Sequence, residues 1–168
     1  MKGGMNIQEQ KADKSVIIGD WSKDTVRLDF DDTSLNKVKY WAFIALKWFH
    51  LDGFVILRSS IKTHNVYFKG KIVQKYSEGS YLIIFNRKVK WDLNFRIMSW
   101  VAIQSHIQSL KDYVLMQGIK GSSTTRCGCK GEKPSPKIVF KYGEQNGQIA
   151  KFLEIRNFIK NFERKGRE

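Results

Sequence analysis

Cysteine is nearly missing from this chain: 168 residues include two, Cys127 and Cys129, one residue apart. That excludes the multi-bridge framework of a small secreted domain. With no second pair at ligand spacing, it also argues against a structural zinc. Long apolar runs are missing too, since none approaches the roughly 20 residues that span a bilayer. The opening MKGGMNIQEQKADKS is polar and lacks the apolar stretch of a signal peptide. The expectation is a cytoplasmic protein with no membrane partner. No internal repeat stands out. Gly118-Ile-Lys-Gly-Ser-Ser123 lacks the Gly-Lys-Ser/Thr ending and the spacing of a phosphate-binding P-loop. Acidic residues are scarce, with 16 Asp and Glu against 30 Lys and Arg, a formal net charge of +14.

Such an excess of one sign selects polyanions, nucleic acid first. A hydrophobic fraction of 42% with 13% aromatics is enough for one proper core at this length. Residues 1–14 read as a flexible arm and 15–168 as a single domain. Residues 15–21 suggest a short strand or docking segment. In 24–32, Val26, Leu28 and Phe30 alternate with polar residues, as in a strand. Val38, Trp41, Ala42, Ala45, Trp48 and Phe49 then recur at three- and four-residue spacing, predicting a buried amphipathic helix over 34–51, capped by Asp32, Thr33 or Ser34. Residues 53–60 and 64–73 read as two strands joined by a tight turn at Ile61-Lys62-Thr63, followed by strands over 78–87 and 88–97. Trp100, Ile103, Ile107, Leu110 and Val114 mark a second helix. The Gly-, Ser- and Lys-rich stretch 118–137 reads as a long mobile loop, 137–143 as a strand, and Ile149 to Phe162 as a terminal helix with a basic outer face. The expected class is α+β, with a mostly antiparallel mixed sheet and packed helices.

Three groups of residues carry chemistry. Strand alternation puts the Asp29 and Asp31 carboxylates on one face, an arrangement that suits Mg²⁺ or Mn²⁺. Arg58, Ser60, Lys62 and His64 crowd a basic, hydroxyl-bearing hairpin turn able to grip a triphosphate. Asp92, flanked by Trp91 and Leu93, is read as facing away from an apolar layer in a strand, a third carboxylate for a two-metal site. Lys120, Arg126 and Lys130 in the loop 118–137 are candidates for contact with a nucleic-acid backbone. Read singly, each group also fits an ordinary solvated strand end, surface turn or surface loop.

In order and spacing, Leu28-Asp29-Phe30-Asp31, Lys62-Thr63-His64 and Trp91-Asp92 resemble the archaeo-eukaryotic primase superfamily, over about residues 24–100. Lys62 stands where that superfamily usually has a small residue. The resemblance implies a primase-core or RRM-like fold and a metal-dependent nucleotidyltransferase, a DNA primase or polymerase of a replication module. Asp29, Asp31 and Asp92 would hold two Mg²⁺ or Mn²⁺ ions, and Arg58, Ser60, Lys62 and His64 the incoming nucleoside triphosphate. The implied partners are a DNA template and primer, and a replication protein. Two other readings use the same residues: a non-catalytic nucleic-acid-binding protein of degenerate primase or RRM-like fold, and a metal-dependent nuclease. The absence of a His-x-His pair argues against a rolling-circle initiator.

Overall fold

The computed structural model describes residues 19–128 and 134–165; the N-terminal segment 1–14 and Lys130 lie outside them. The alternating Val26, Leu28 and Phe30 form β2 (Thr25–Thr33), preceded by a short β1 (Gly19–Ser22). Ser34 then caps α1 (Leu35–Phe49), its side chain accepting from the backbone N–H of Lys37, and α1 ends on a left-handed His50. Two long strands follow, β3 (Gly53–Phe68) and β4 (Lys71–Lys88), then α2 (Trp91–Ser105), α3 (Gln108–Lys120), β5 (Ser123–Arg126), β6 (Lys137–Gly143) and α4 (Gln148–Lys165). The main sheet has the order β2-β4-β3-β6, and β1 pairs separately with β5. Each of these pairings is antiparallel, so the α+β, mostly antiparallel expectation holds.

Both faces of the main sheet are covered, which is why Phe54-Val-Ile-Leu57 and Tyr81-Leu-Ile-Ile-Phe85 read as continuous apolar runs. One set of alternate residues, including Leu28, Phe54, Ile56, Ile83 and Phe85, packs under α1, α2 and α3. The other set, Val55, Leu57, Leu82 and Ile84, packs against Ile149, Phe152 and Ile159 of α4. Each such side chain contributes about 2 kcal/mol by leaving water.

Several expectations are corrected. Residues 88–97 are not a strand: Trp91 begins α2. Alternation would bury Leu93 and expose Asn94, but Leu93 is 43% exposed and Asn94 is fully buried. The Asn94 Nδ2 donates to the carbonyls of Lys23 (3.0 Å) and Thr25 (2.9 Å), tying the helix start to the start of β2. The second predicted helix is two, because His106 adopts a left-handed conformation that ends α2 and lets Ile107 and Leu110 of the next segment reach the core. The tight turn is not at residues 61–63. These continue β3, and the chain reverses at Lys69-Gly70, both with positive φ (49° and 75°), as a two-residue hairpin turn demands. The loop 118–137 contains β5. At side-chain level, Trp48 is surface-exposed against Trp100 rather than core. Arg156, read as part of the basic outer face of α4, is buried and donates to the Pro136 carbonyl.

β2 leaves the sheet at Thr33, opposite Gly79, and β6 ends its pairing at Arg58. Beyond that line β3 and β4 pair only with each other, from Lys62↔Glu78 to Phe68↔Lys71. The result is a two-stranded ribbon extending about 20 Å from the body. A register shift between Arg58 and Ser60 marks its root. Gly79 sits at the same place, where a Cβ would lie 2.5 Å from the Ser60 carbonyl oxygen.

Candidate functional site

The β1–β5 pair is clamped over one end of the main sheet by short, specific contacts. Ser123 Oγ donates to the Ser22 and Thr25 carbonyls (2.9 Å each). Gln117 Oε1 accepts from both the backbone N–H and the hydroxyl of Thr124 (2.9 Å each), and the Tyr113 hydroxyl donates to the Thr124 carbonyl (3.1 Å). From beneath, the buried Arg27 guanidinium pairs with Asp20 and donates to its backbone carbonyl (2.9 Å). Gly121, left-handed, ends α3 and turns the chain directly into β5.

These contacts enclose a cleft of about 520 Å³. Asp29 and Leu82 from the sheet, Tyr113, Gln117 and Lys120 from α3, and Trp21, Thr125 and Arg126 from the small sheet line it. Burial, followed by repulsion from the Asp31 carboxylate, pushes the Asp29 carboxyl up to about 7, and Arg126 opposes the shift. Burial, and then Asp29, pushes the Tyr113 phenol up. Arg126, which lines the cleft, keeps its Nη1 buried without a hydrogen-bond partner, as does the hydroxyl of the preceding Thr125 on β5. A second hollow of about 400 Å³ adjoins the first through Ser59 and is lined by Arg58, Ser60 and Lys137 among others.

The structure brings together Asp29, Lys120 and Arg126, which the sequence places in different groups. Asp31 is exposed, and its backbone N–H donates to Ser109 Oγ (3.2 Å). Arg58 and Ser60 lie along the second hollow. Lys62 reaches Asp32 instead of a shared phosphate site (3.6 Å). His64 stands on the ribbon, 3.5 Å from Glu78 and stacked on Tyr76. Asp92 is exposed in the first turn of α2. Asn94 anchors that turn at the Thr25 end of β2, about 13 Å of strand from Asp29. Among the described residues no three His, Cys, Asp or Glu side chains lie close enough to share a metal ion. The three carboxylates therefore do not form the expected two-metal donor set.

Trp21, Tyr113, Gln117 and Thr125 are cleft residues that the pattern reading did not place in a site. The i, i+4 spacing of Tyr113 and Gln117 on a helix is the one local signal that pairs two of them. Compared with known proteins, the chain matches no family model, no curated protein and no solved structure.

Proposed function

We propose that this protein binds nucleic acid, with the β3–β4 ribbon as its principal contact element. The observation that carries this is the ribbon's composition. Residues 61–78 hold Lys62, Lys69, Lys71 and Lys75 against the single acid Glu78. Tyr67, Phe68 and Tyr76 are 62%, 63% and 44% exposed. Aromatic rings in water are costly unless a partner covers them, and lysines interleaved with rings provide charge for the phosphates and stacking for the bases. Binding across the open face of a sheet, as in an RRM-like domain, is not favoured, because α4 covers the face bearing Val55, Leu57, Leu82 and Ile84. The test is binding of a labelled single strand by fluorescence anisotropy. Tyr67→Ala with Phe68→Ala lowers affinity about tenfold or more, at about 1–3 kcal/mol per stacked base, with the thermal midpoint of the body unchanged. Equal affinity in parent and variant refutes the assignment of the ribbon.

A second reading, nucleotidyl transfer of the primase type, is favoured by one observation: Asp29, with Asp31 beside it, shares a cleft with Lys120 and Arg126. Asp92 does not complete the donor set, so this reading is the weaker. Primer extension with Mg²⁺ or Mn²⁺ decides it: incorporation by the parent that Asp29→Ala with Asp31→Ala abolishes supports the reading. No incorporation, or incorporation surviving the double change, refutes it.

A further inference from the structure

The cleft contains groups that neither the fold nor the ribbon uses. Arg126 Nη1 is buried and unmatched, and Lys120 lines the same cleft from α3. Inside a folded protein such donors ordinarily meet a partner, and an unpaired guanidinium N–H is among the costliest to leave without one. The acids present do not supply it. Asp20 is engaged by Arg27, and no ion pair within 4.0 Å joins Arg126 to Asp29. Gln117 is likewise occupied, by Thr124 and the Tyr113 carbonyl. What remains around the cleft is a guanidinium fork and an ammonium, brought by two different elements. A planar carboxylate meets only the fork, whereas a tetrahedral oxyanion offers acceptors to both cations at once. The cleft volume is in the range of small-molecule sites. Trp21, 67% exposed, stands at its edge as an apolar surface for whatever the oxyanion carries.

We propose that the cleft between the β1–β5 pair, α3 and the main sheet is a binding site for a phosphate monoester, held by Arg126 and Lys120, with its organic part against Trp21. The monoester is that of a free nucleotide or of a phosphorylated nucleic-acid end. The site does not depend on the ribbon, nor on the transferase reading.

Isothermal titration calorimetry on the full chain tests this with adenosine monophosphate, with adenosine, and with a short single strand carrying either a 5′-phosphate or a 5′-hydroxyl. The monophosphate, the phosphorylated strand or both bind more tightly than their phosphate-free counterparts, and Arg126→Gln and Lys120→Gln each weaken that preference about tenfold. Preference confined to the monophosphate identifies a free nucleotide as the ligand; preference confined to the strand identifies a nucleic-acid end. The absence of any phosphate preference in the parent, or a preference unchanged in both variants, overturns the proposal. Lys120 is exposed, so its variant keeps the test decisive if Arg126→Gln destabilises β5. The ribbon variant Tyr67→Ala with Phe68→Ala leaves monophosphate binding intact, which separates failure of this site from failure of the ribbon.

Discussion

Asp29 has the most consequential environment of any single residue. Burial and the neighbouring Asp31 carboxylate push its carboxyl up to about 7 in the folded chain, against about 3.8 when unfolded. The native state therefore holds a proton that the unfolded state releases, and this group's contribution to stability falls as pH rises from about 4 to about 7, then stays level. Asp29→Asn removes the penalty. In urea unfolding the variant is as stable as the parent near pH 4. Above pH 7 it is more stable by about 1–3 kcal/mol, less than the full shift implies because the cleft admits water. Equal stability across that range contradicts the assigned environment. Asp29 was legible as a functional candidate because strand alternation is a local signal. Its partners were not: Arg126 is about a hundred positions away, and it comes near only because β5 pairs with β1 and is bonded to Thr25 of β2 and to α3. Asp92 shows the reverse error. Trp-Asp-Leu-Asn-Phe satisfies a two-residue period as well as a helical one, and the fully buried Asn94, bonded to two carbonyls of a distant strand, decided for the helix. Nothing in a short window announces that bond.

Among the elements, those with one strong period were readable. α1, β6 and α4 lie within three residues of their predicted bounds, β6 at the predicted ends, because their apolar spacing fits a single template. The ribbon was misread because Ile61-Lys62-Thr63 follows a run of apolar residues and mimics a break, while the real reversal sits at Lys69-Gly70. The turn chemistry settles this in retrospect, since Gly70 is the one glycine between 54 and 78, and glycine takes positive φ at no steric cost. Gly70→Val follows as a test. A β-branched residue there is strained, although no atom lies within 4 Å of the new Cβ. Amides of residues 64–76 then exchange faster with deuterium, and those of Ile56 and Ile83 do not change. Equal acceleration in the body shows that the ribbon is not a separate unit. Gly79 differs, because its missing Cβ faces the Ser60 backbone, and Gly79→Ala disturbs the root of the ribbon and the hollow beside it.

For the whole molecule, the formal charge of +14 is the largest lever. Single-strand affinity falls steeply with salt, and Lys71→Gln with Lys75→Gln reduces the slope of log Kd against log salt by about 1.4, the value for two lost phosphate contacts. An unchanged slope places the phosphates elsewhere on the surface. No helix among the described residues is long and apolar enough to cross a membrane. The ribbon is also continuous with β3 and β4, strands that in the body lie inside the sheet, with β2 on one flank and β6 on the other. A load applied at Lys69-Gly70 is therefore delivered along unbroken backbone to Ile56 and Ile83, with no hinge loop to absorb it. The register shift between Arg58 and Ser60 lies on that path, so a pull on the tip meets the irregular root of the ribbon before it meets the centre of the sheet.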